Sequence, residues 1–260
     1  RDNQGVAFPD SNLSVSAITP KDVNDLKFGS NNDVDFVAVS FVRNADDINT
    51  VKELIPKDIK VIAKIELKIA LDNIEEILEV ADGVMVARGD LGVQLPIEQV
   101  PFIQKQILNA ANSRGKISIT ATEMLQSMKT SYRPTRAEVT DITNAILEGS
   151  DAVMLSAETA VGSYPVETVT AMARVIEGAE KHPLTQRSKH RIDETFERID
   201  ESLALSAMYA ANHLKGVKAV ICMTETGFTP LLMSRITSSL PIYAFAEKAG
   251  TCEITALYKG

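Results

Sequence analysis

Lys64 and Glu66 stand two residues apart at the end of an apolar run, residues 60–66 (KVIAKIE). Side chains alternate along a strand, so this ammonium and this carboxylate point the same way. A second run, residues 83–88 (GVMVAR), leads into Arg88-Gly89-Asp90-Leu91-Gly92. Arg88 and Asp90 share a face if the strand extends that far, and Gly89 leaves the backbone open to a ligand. A third run, residues 117–122 (ISITAT), puts Thr120 and Thr122 on one side, with Glu123 next. Taken singly, these features have plainer readings: a surface ion pair, a turn, and ordinary strand threonines. Taken together they bring an ammonium, a guanidinium, two carboxylates, open amides and a hydroxyl to one rim. Two hard oxygen ligands suit Mg²⁺ or Mn²⁺, which keeps positions for water and substrate phosphate. Cations and amides beside such a metal suit an anionic substrate whose charge moves during reaction. That chemistry is phosphoryl transfer or enolate chemistry. The chain has no GxxxxGK[ST] loop and no GxGxxG, so Walker-type and Rossmann-type nucleotide sites have no support.

Such a rim requires strands laid side by side. Residues 34–42 (VDFVAVSFV) read as a further buried strand, as do residues 151–157 (DAVMLSA). Between the strands lie apolar positions at helical spacing. Ile48, Val51, Leu54 and Ile55 form one face, with Asp46 or Asp47 as its cap. Ile74, Ile77, Leu78 and Ala81 form a second. Phe102, Ile103, Ile107, Leu108 and Ala111 form a third, with Gly115 placed to end it. Val139, Ile142 and Ile146 follow, closed by Gly149, and Pro165 opens a helix to about Ala179. Five βα units on short connections predict a parallel sheet covered by helices. Either an open doubly wound sheet or a (β/α)₈ barrel fits, and a barrel would need three more units. In both, ligands bind at the C-terminal strand ends.

After a charged stretch at residues 181–201, a second α/β pattern begins. It reads as a helix at 203–214, a strand at 218–224, a helix at 229–236, a strand at 241–246 and a short helix at 251–258. Two parallel strands make a poor independent sheet, so further chain is expected beyond Gly260. The turn-rich opening (RDNQGVAFPD) is expected to be the tail of something upstream.

With 45% hydrophobic and 24% charged residues, the 260-residue composition is that of a globular protein. The net charge of −8, from 35 acidic and 27 basic residues, argues against an electrostatic nucleic-acid binder. Two cysteines, Cys222 and Cys252, and three histidines make a Cys/His zinc site improbable and fit a reducing compartment. His182, His190 and His213 lie outside the five-strand block and are expected at the surface, whereas Cys222 is expected in the core. No apolar run approaches the roughly 20 residues that span a bilayer. No signal peptide is recognisable.

Several long runs resemble the pyruvate kinase family. They are KIE (64–66), MVARGDLGV (85–93), ITATEMLQSM (119–128), RPTRAEV (133–139) and NAILEGSDAVMLSAETAVGSYPVET (144–168). The stretches SAMYAANHLKGVKA (206–219) and MTETGFTPLLMSR (223–235) resemble the start of the family's C-terminal domain, in bacterial members especially. The resemblance implies the last five βα units of a (β/α)₈ barrel followed by the beginning of a C-terminal α/β domain. Residues 1–10 would be the exit from an upstream lid, 11–180 the partial barrel, 181–202 a linker and 203–260 the partial C-terminal domain.

The implied reaction moves a phosphoryl group from phosphoenolpyruvate to ADP, giving pyruvate and ATP. Lys64 matches the lysine that offsets charge on the transferring phosphoryl. Glu66 and Asp90 match the metal carboxylates, for Mg²⁺ or Mn²⁺. Gly89 and Asp90 match the substrate-binding amides near a helix start. Thr122 matches the threonine beside the carbon that is protonated, and Arg88 supports the same loop. K⁺ is implied too, with ligands mostly outside this chain. A homotetramer and a cytoplasmic location are implied, with no nucleic-acid or membrane partner. Glu123 stands where glutamine is usual, Leu67 where a polar residue is usual, and Phe228 and Pro230 where Arg and Ala are usual. The 260 residues alone are expected to be inactive. A metal-dependent pyruvate-enolate aldolase or lyase, and a non-catalytic fragment, stand as alternatives.

Overall fold

A computed structural model describes residues 17–182, 195–196 and 198–260. Residues 1–10, most of the 181–202 stretch and His190 lie outside the described residues. The chain divides into two compact units, Arg1–Glu123 and Met124–Gly260.

In the first unit, helix α1 (Pro20–Ser30) precedes three βα steps and a fourth strand. These are β1 (Phe36–Val39), α2 (Ala45–Leu54), β2 (Lys60–Ile65), the short α3 (Lys68–Asp72), α4 (Ile74–Val80), β3 (Gly83–Ala87), α5 (Arg88–Gln94), α6 (Val100–Ser113) and β4 (Ile117–Ala121). The strands are parallel and lie in sequence order. Lys64 sits opposite Met85, and Ala87 opposite Ala121. Strand alternation separates the faces. Val61, Ala63 and Ile65 of β2 join Val84 and Val86 of β3 in one core with Ile48, Val51, Ile77, Leu78, Ile107 and Leu108 from the helices. Ile62 and Lys64 take the opposite parity and leave that core.

Caps explain where the helices start. Thr19 and Asp22 form a reciprocal capping box ahead of α1, with Pro20 in the first turn. This helix has no counterpart in the sequence reading, because Leu26 is its one buried residue and its apolar stripe is weak. At α2 the cap is Asn44, whose side chain accepts from the Asp47 amide, and not Asp46 or Asp47. Asp47 instead binds the Arg43 guanidinium at 2.9 Å, which raises the arginine's pKa further above its ordinary value. Gly115 and Gly149 do end their helices, at φ 64° and 91°, where any Cβ would be strained.

In the second unit, a 3₁₀ turn (Gln126–Lys129) leads to α7 (Arg136–Leu147), β5 (Ala152–Met154), α8 (Ala157–Ala160) and α9 (Pro165–Glu180). Met124, Leu125, Met128, Ile142, Ala145 and Met172 bury one core there. Then come α10 (Ile199–His213), β6 (Val220–Met223), α11 (Phe228–Ser234), β7 (Ile242–Phe245) and α12 (Ala249–Thr255). β6 and β7 pair in parallel, and Cys222 lies buried in the core with Ala204, Met208, Leu232 and Ile236. Phe228 offers its ring to the Arg198 guanidinium, 4.8 Å from the centroid. His182 and His213 are exposed, and the His213 ring stacks on Tyr209 with centroids 4.1 Å apart. Among the described residues no helix is long and apolar enough to cross a membrane.

Candidate active site

The predicted residues collect where the strands of the first unit end. β2 stops at Ile65, and Glu66 follows it with its side chain almost wholly buried. One carboxylate oxygen pairs with Lys64 Nζ at 2.7 Å. The other accepts the Phe41 amide at 2.6 Å. Lys64, about a quarter exposed, also donates to Ser40 Oγ at 2.9 Å. This is not a loose surface pair. A buried carboxylate needs compensation by charge and donors, and Glu66 receives both.

The Phe41 amide reaches Glu66 because Phe41 takes a left-handed backbone, φ 54°. That conformation is rare for a bulky residue, and it ends β1 well short of residue 42. Ser40 and the Phe41 amide were missed by sequence reasoning. Ser40 had a signal, being the one hydroxyl in the 34–42 run. A positive φ at phenylalanine had none.

On the neighbouring strands, β3 ends at Ala87 and Arg88 starts α5. Arg88 and Asp90 therefore do not share a strand face. Asp90 is exposed in the first turn of α5. The Gly89 amide donates to Thr122 Oγ1 at 2.7 Å, and Thr122 Oγ1 donates to the Ala121 carbonyl at 2.6 Å. Arg88 Nη2 donates to the Thr122 carbonyl at 2.6 Å. Its Nε lies 3.2 Å from that carbonyl and 3.3 Å from that of Ala121. Thr122 and Glu123 both have positive φ, 69° and 54°. Thr120 and Thr122 therefore part company: Thr120 is fully buried in β4, and Thr122 turns out of the strand. Leu67 caps α3 without a side-chain bond, and Glu123 is exposed.

The structure thus joins Lys64 to Glu66 and Gly89 to Thr122 directly. Among the described residues, no group of three or more acidic, His or Cys side chains could hold a metal. Of the two carboxylates expected to hold a metal, Glu66 is almost wholly buried and Asp90 is exposed in the first turn of α5. Mg²⁺ or Mn²⁺ needs only one or two carboxylates when water and substrate oxygens complete the shell.

The family model described as "Pyruvate kinase, barrel domain" matches residues 1–169. The one described as "Pyruvate kinase, alpha/beta domain" matches residues 201–260. The chain belongs to the pyruvate kinase family. Its fold is accordingly α/β, a portion of the family's barrel domain followed by part of its α/β domain. The pyruvate kinase of Buchnera aphidicola from Schizaphis graminum is 49% identical over 264 aligned positions, which take in 99% of this chain and 55% of the relative. Pyruvate kinase II of Salmonella typhimurium is 48% identical over the same shares. The Dictyostelium discoideum pyruvate kinase is 44% identical over 94% of this chain and 50% of its own length. The chain spans about half the length of the curated relatives it matches.

Proposed function

We propose that this chain carries the phosphoryl-transfer residues of a pyruvate kinase, acting on phosphoenolpyruvate and ADP to give pyruvate and ATP. The observation that carries the proposal is the buried Glu66 carboxylate, held between the Lys64 ammonium and the Phe41 amide at the sheet rim. A charged pair so placed is pre-set for a reaction in which negative charge moves, and it needs no rearrangement at that moment. Lys64 offsets charge on the phosphoryl as it leaves the enol oxygen for a terminal oxygen of ADP. Glu66 and Asp90 would hold the divalent cation, Mg²⁺ or Mn²⁺, which when bound would neutralise substrate oxygens. The Gly89 and Asp90 amides receive the substrate anion, and Gly89 exchanges its bond to Thr122 for one to substrate. Thr122 then presents its hydroxyl beside the carbon that takes a proton.

The domain reading belongs to the same proposal: 1–10 as lid exit, 11–180 as barrel, 181–202 as linker and 203–260 as the opening of the C-terminal domain. So do a K⁺ requirement with ligands mostly elsewhere, a homotetramer and a cytoplasmic location. The two matched stretches, separated by residues 170–200, support that domain order.

The test is pyruvate formation from phosphoenolpyruvate, ADP and Mg²⁺ by the purified full-length protein, beside a Lys64→Ala variant. The expected result is a rate lowered by at least about 100-fold in the variant, the scale of losing one charge-stabilising group. Equal rates in the two proteins overturn the assignment.

A further inference from the structure

Thr122 is β-branched, and Glu123 follows it in the same left-handed region, at φ 69° and 54°. Such residues leave that region unless their surroundings hold them there. The Thr122 carbonyl belongs to the peptide that joins the two residues. Its direction therefore fixes ψ of Thr122 and φ of Glu123 together. The group on that carbonyl is the Arg88 guanidinium, through Nη2 at 2.6 Å and Nε at 3.2 Å. Nε also lies 3.3 Å from the Ala121 carbonyl, which itself accepts the Thr122 hydroxyl. One rigid fork thus spans the last strand peptide and the first turned one. The same arginine begins α5, whose second residue supplies the Gly89 amide that binds Thr122 Oγ1.

We propose that Arg88 is a positioning residue, whose guanidinium holds the Thr122–Glu123 peptide left-handed and so sets the Thr122 hydroxyl against the Gly89 amide. Two candidate site groups, from different strand ends, are then registered by one side chain that need not touch substrate. Lysine cannot replace it, because a point charge on a flexible stem does not reproduce the planar fork. The kinetic consequence rests on the phosphoryl-transfer reading, and the structural one does not.

The test uses Arg88→Lys in the full-length protein. Amide hydrogen exchange at Gly89 is expected to quicken by at least about 10-fold, while exchange in the cores of β2 and β3 stays as it was. Turnover is expected to fall by on the order of 100-fold, the scale of a small misplacement of a reacting group. The KM for ADP is expected to hold. A folded variant with unchanged Gly89 exchange and unchanged turnover overturns the proposal. If the unaltered protein makes no pyruvate, the reaction reading fails alone, and the Gly89 exchange still decides the positioning role. If Arg88→Lys does not fold, the unaltered protein decides. Its Arg88 Nε–H should exchange at least about 10-fold more slowly than that of an exposed arginine. Rapid exchange there overturns the clamp.

Discussion

At the residue scale, Glu66 is the most constrained group of the candidate site. Its two oxygens have different partners, a cation on one side and a backbone amide on the other. Glu66→Gln keeps the shape and removes the charge. Lys64 then faces an amide, and the Phe41 amide loses a charge-assisted acceptor. Lys64 retains partial access to water, so the stability loss is expected to be about 1–3 kcal/mol, below that of a fully buried broken pair. Urea unfolding measures it. Mn²⁺ binding, followed by calorimetry, should weaken by at least about 10-fold, since even an outer-sphere change loses that much. Undiminished Mn²⁺ affinity would remove Glu66 from the metal site. In the second unit, the Phe228 ring serves as a face for the Arg198 guanidinium.

At the element scale, one carboxylate fastens the start of α7 to the turn before it. Glu138 accepts the Ser127 amide at 2.7 Å and its hydroxyl at 2.6 Å. It also accepts the Thr135 amide at 2.8 Å and hydroxyl at 2.9 Å, completing a capping box. Burial alone would raise its pKa, but these four donors outweigh burial and hold it below the ordinary 4.5. A depressed carboxylate stabilises the fold above its unfolded pKa and loses that contribution as pH falls through the folded value. The gap in thermal unfolding between the unaltered protein and Glu138→Gln should therefore be widest near neutral pH and narrow on acidification, as the carboxylate is protonated below its ordinary 4.5. A gap that never narrows as the pH falls would contradict the account. This box was hidden in a run read for its resemblance, RPTRAEV, although Thr135 and Glu138 have the spacing that defines a capping box. The five barrel strands and the five helices α2, α4, α6, α7 and α9 are legible in the sequence because alternation and 3.6-residue spacing are strong signals. α1, α3 and α8 are not, being short or weakly apolar. Strands β1 and β4 stop short of their apolar runs for a local reason. Phe41 and Thr122 turn left-handed where their residue types favour extension, held by Glu66 and Arg88, which follow the ends of β2 and β3. Partners distant in sequence leave no mark on the local pattern. The site residues were legible by type and order, and the bonds among them were not.

At the scale of the whole molecule, the stretch matched by the barrel model and the stretch matched by the α/β model meet within the second compact unit. Asp151, just before β5, and Arg235, at the end of α11, are 84 residues apart in sequence. Their side chains are fully buried and bidentate, with Nη1 at 2.9 Å and Nη2 also bonded. Lys259 adds its backbone amide to Asp151 at 3.1 Å and its ammonium to the Gly149 carbonyl at 3.2 Å. Burial first, and the Arg235 charge second, push the Lys259 amine down to about 8, against the pull of Asp151. Breaking such a pair from one side is costly, about 3–5 kcal/mol, because a buried charge is left behind. Replacing both partners by apolar residues is near neutral. So Arg235→Met should destabilise strongly, and Arg235→Met with Asp151→Leu should recover most of the loss. Lys259 supplies a second readout. Its folded pKa lies below the ordinary 10.5, so the folded state sheds the proton first and stability should rise with pH between about 8 and 10.5. Arg235→Met removes the repelling charge while leaving Asp151, which should lift the Lys259 pKa and flatten that rise. A single variant as stable as the double one, with the alkaline rise intact, would mean that solvent enters the joint and that the pair does not hold the two stretches together.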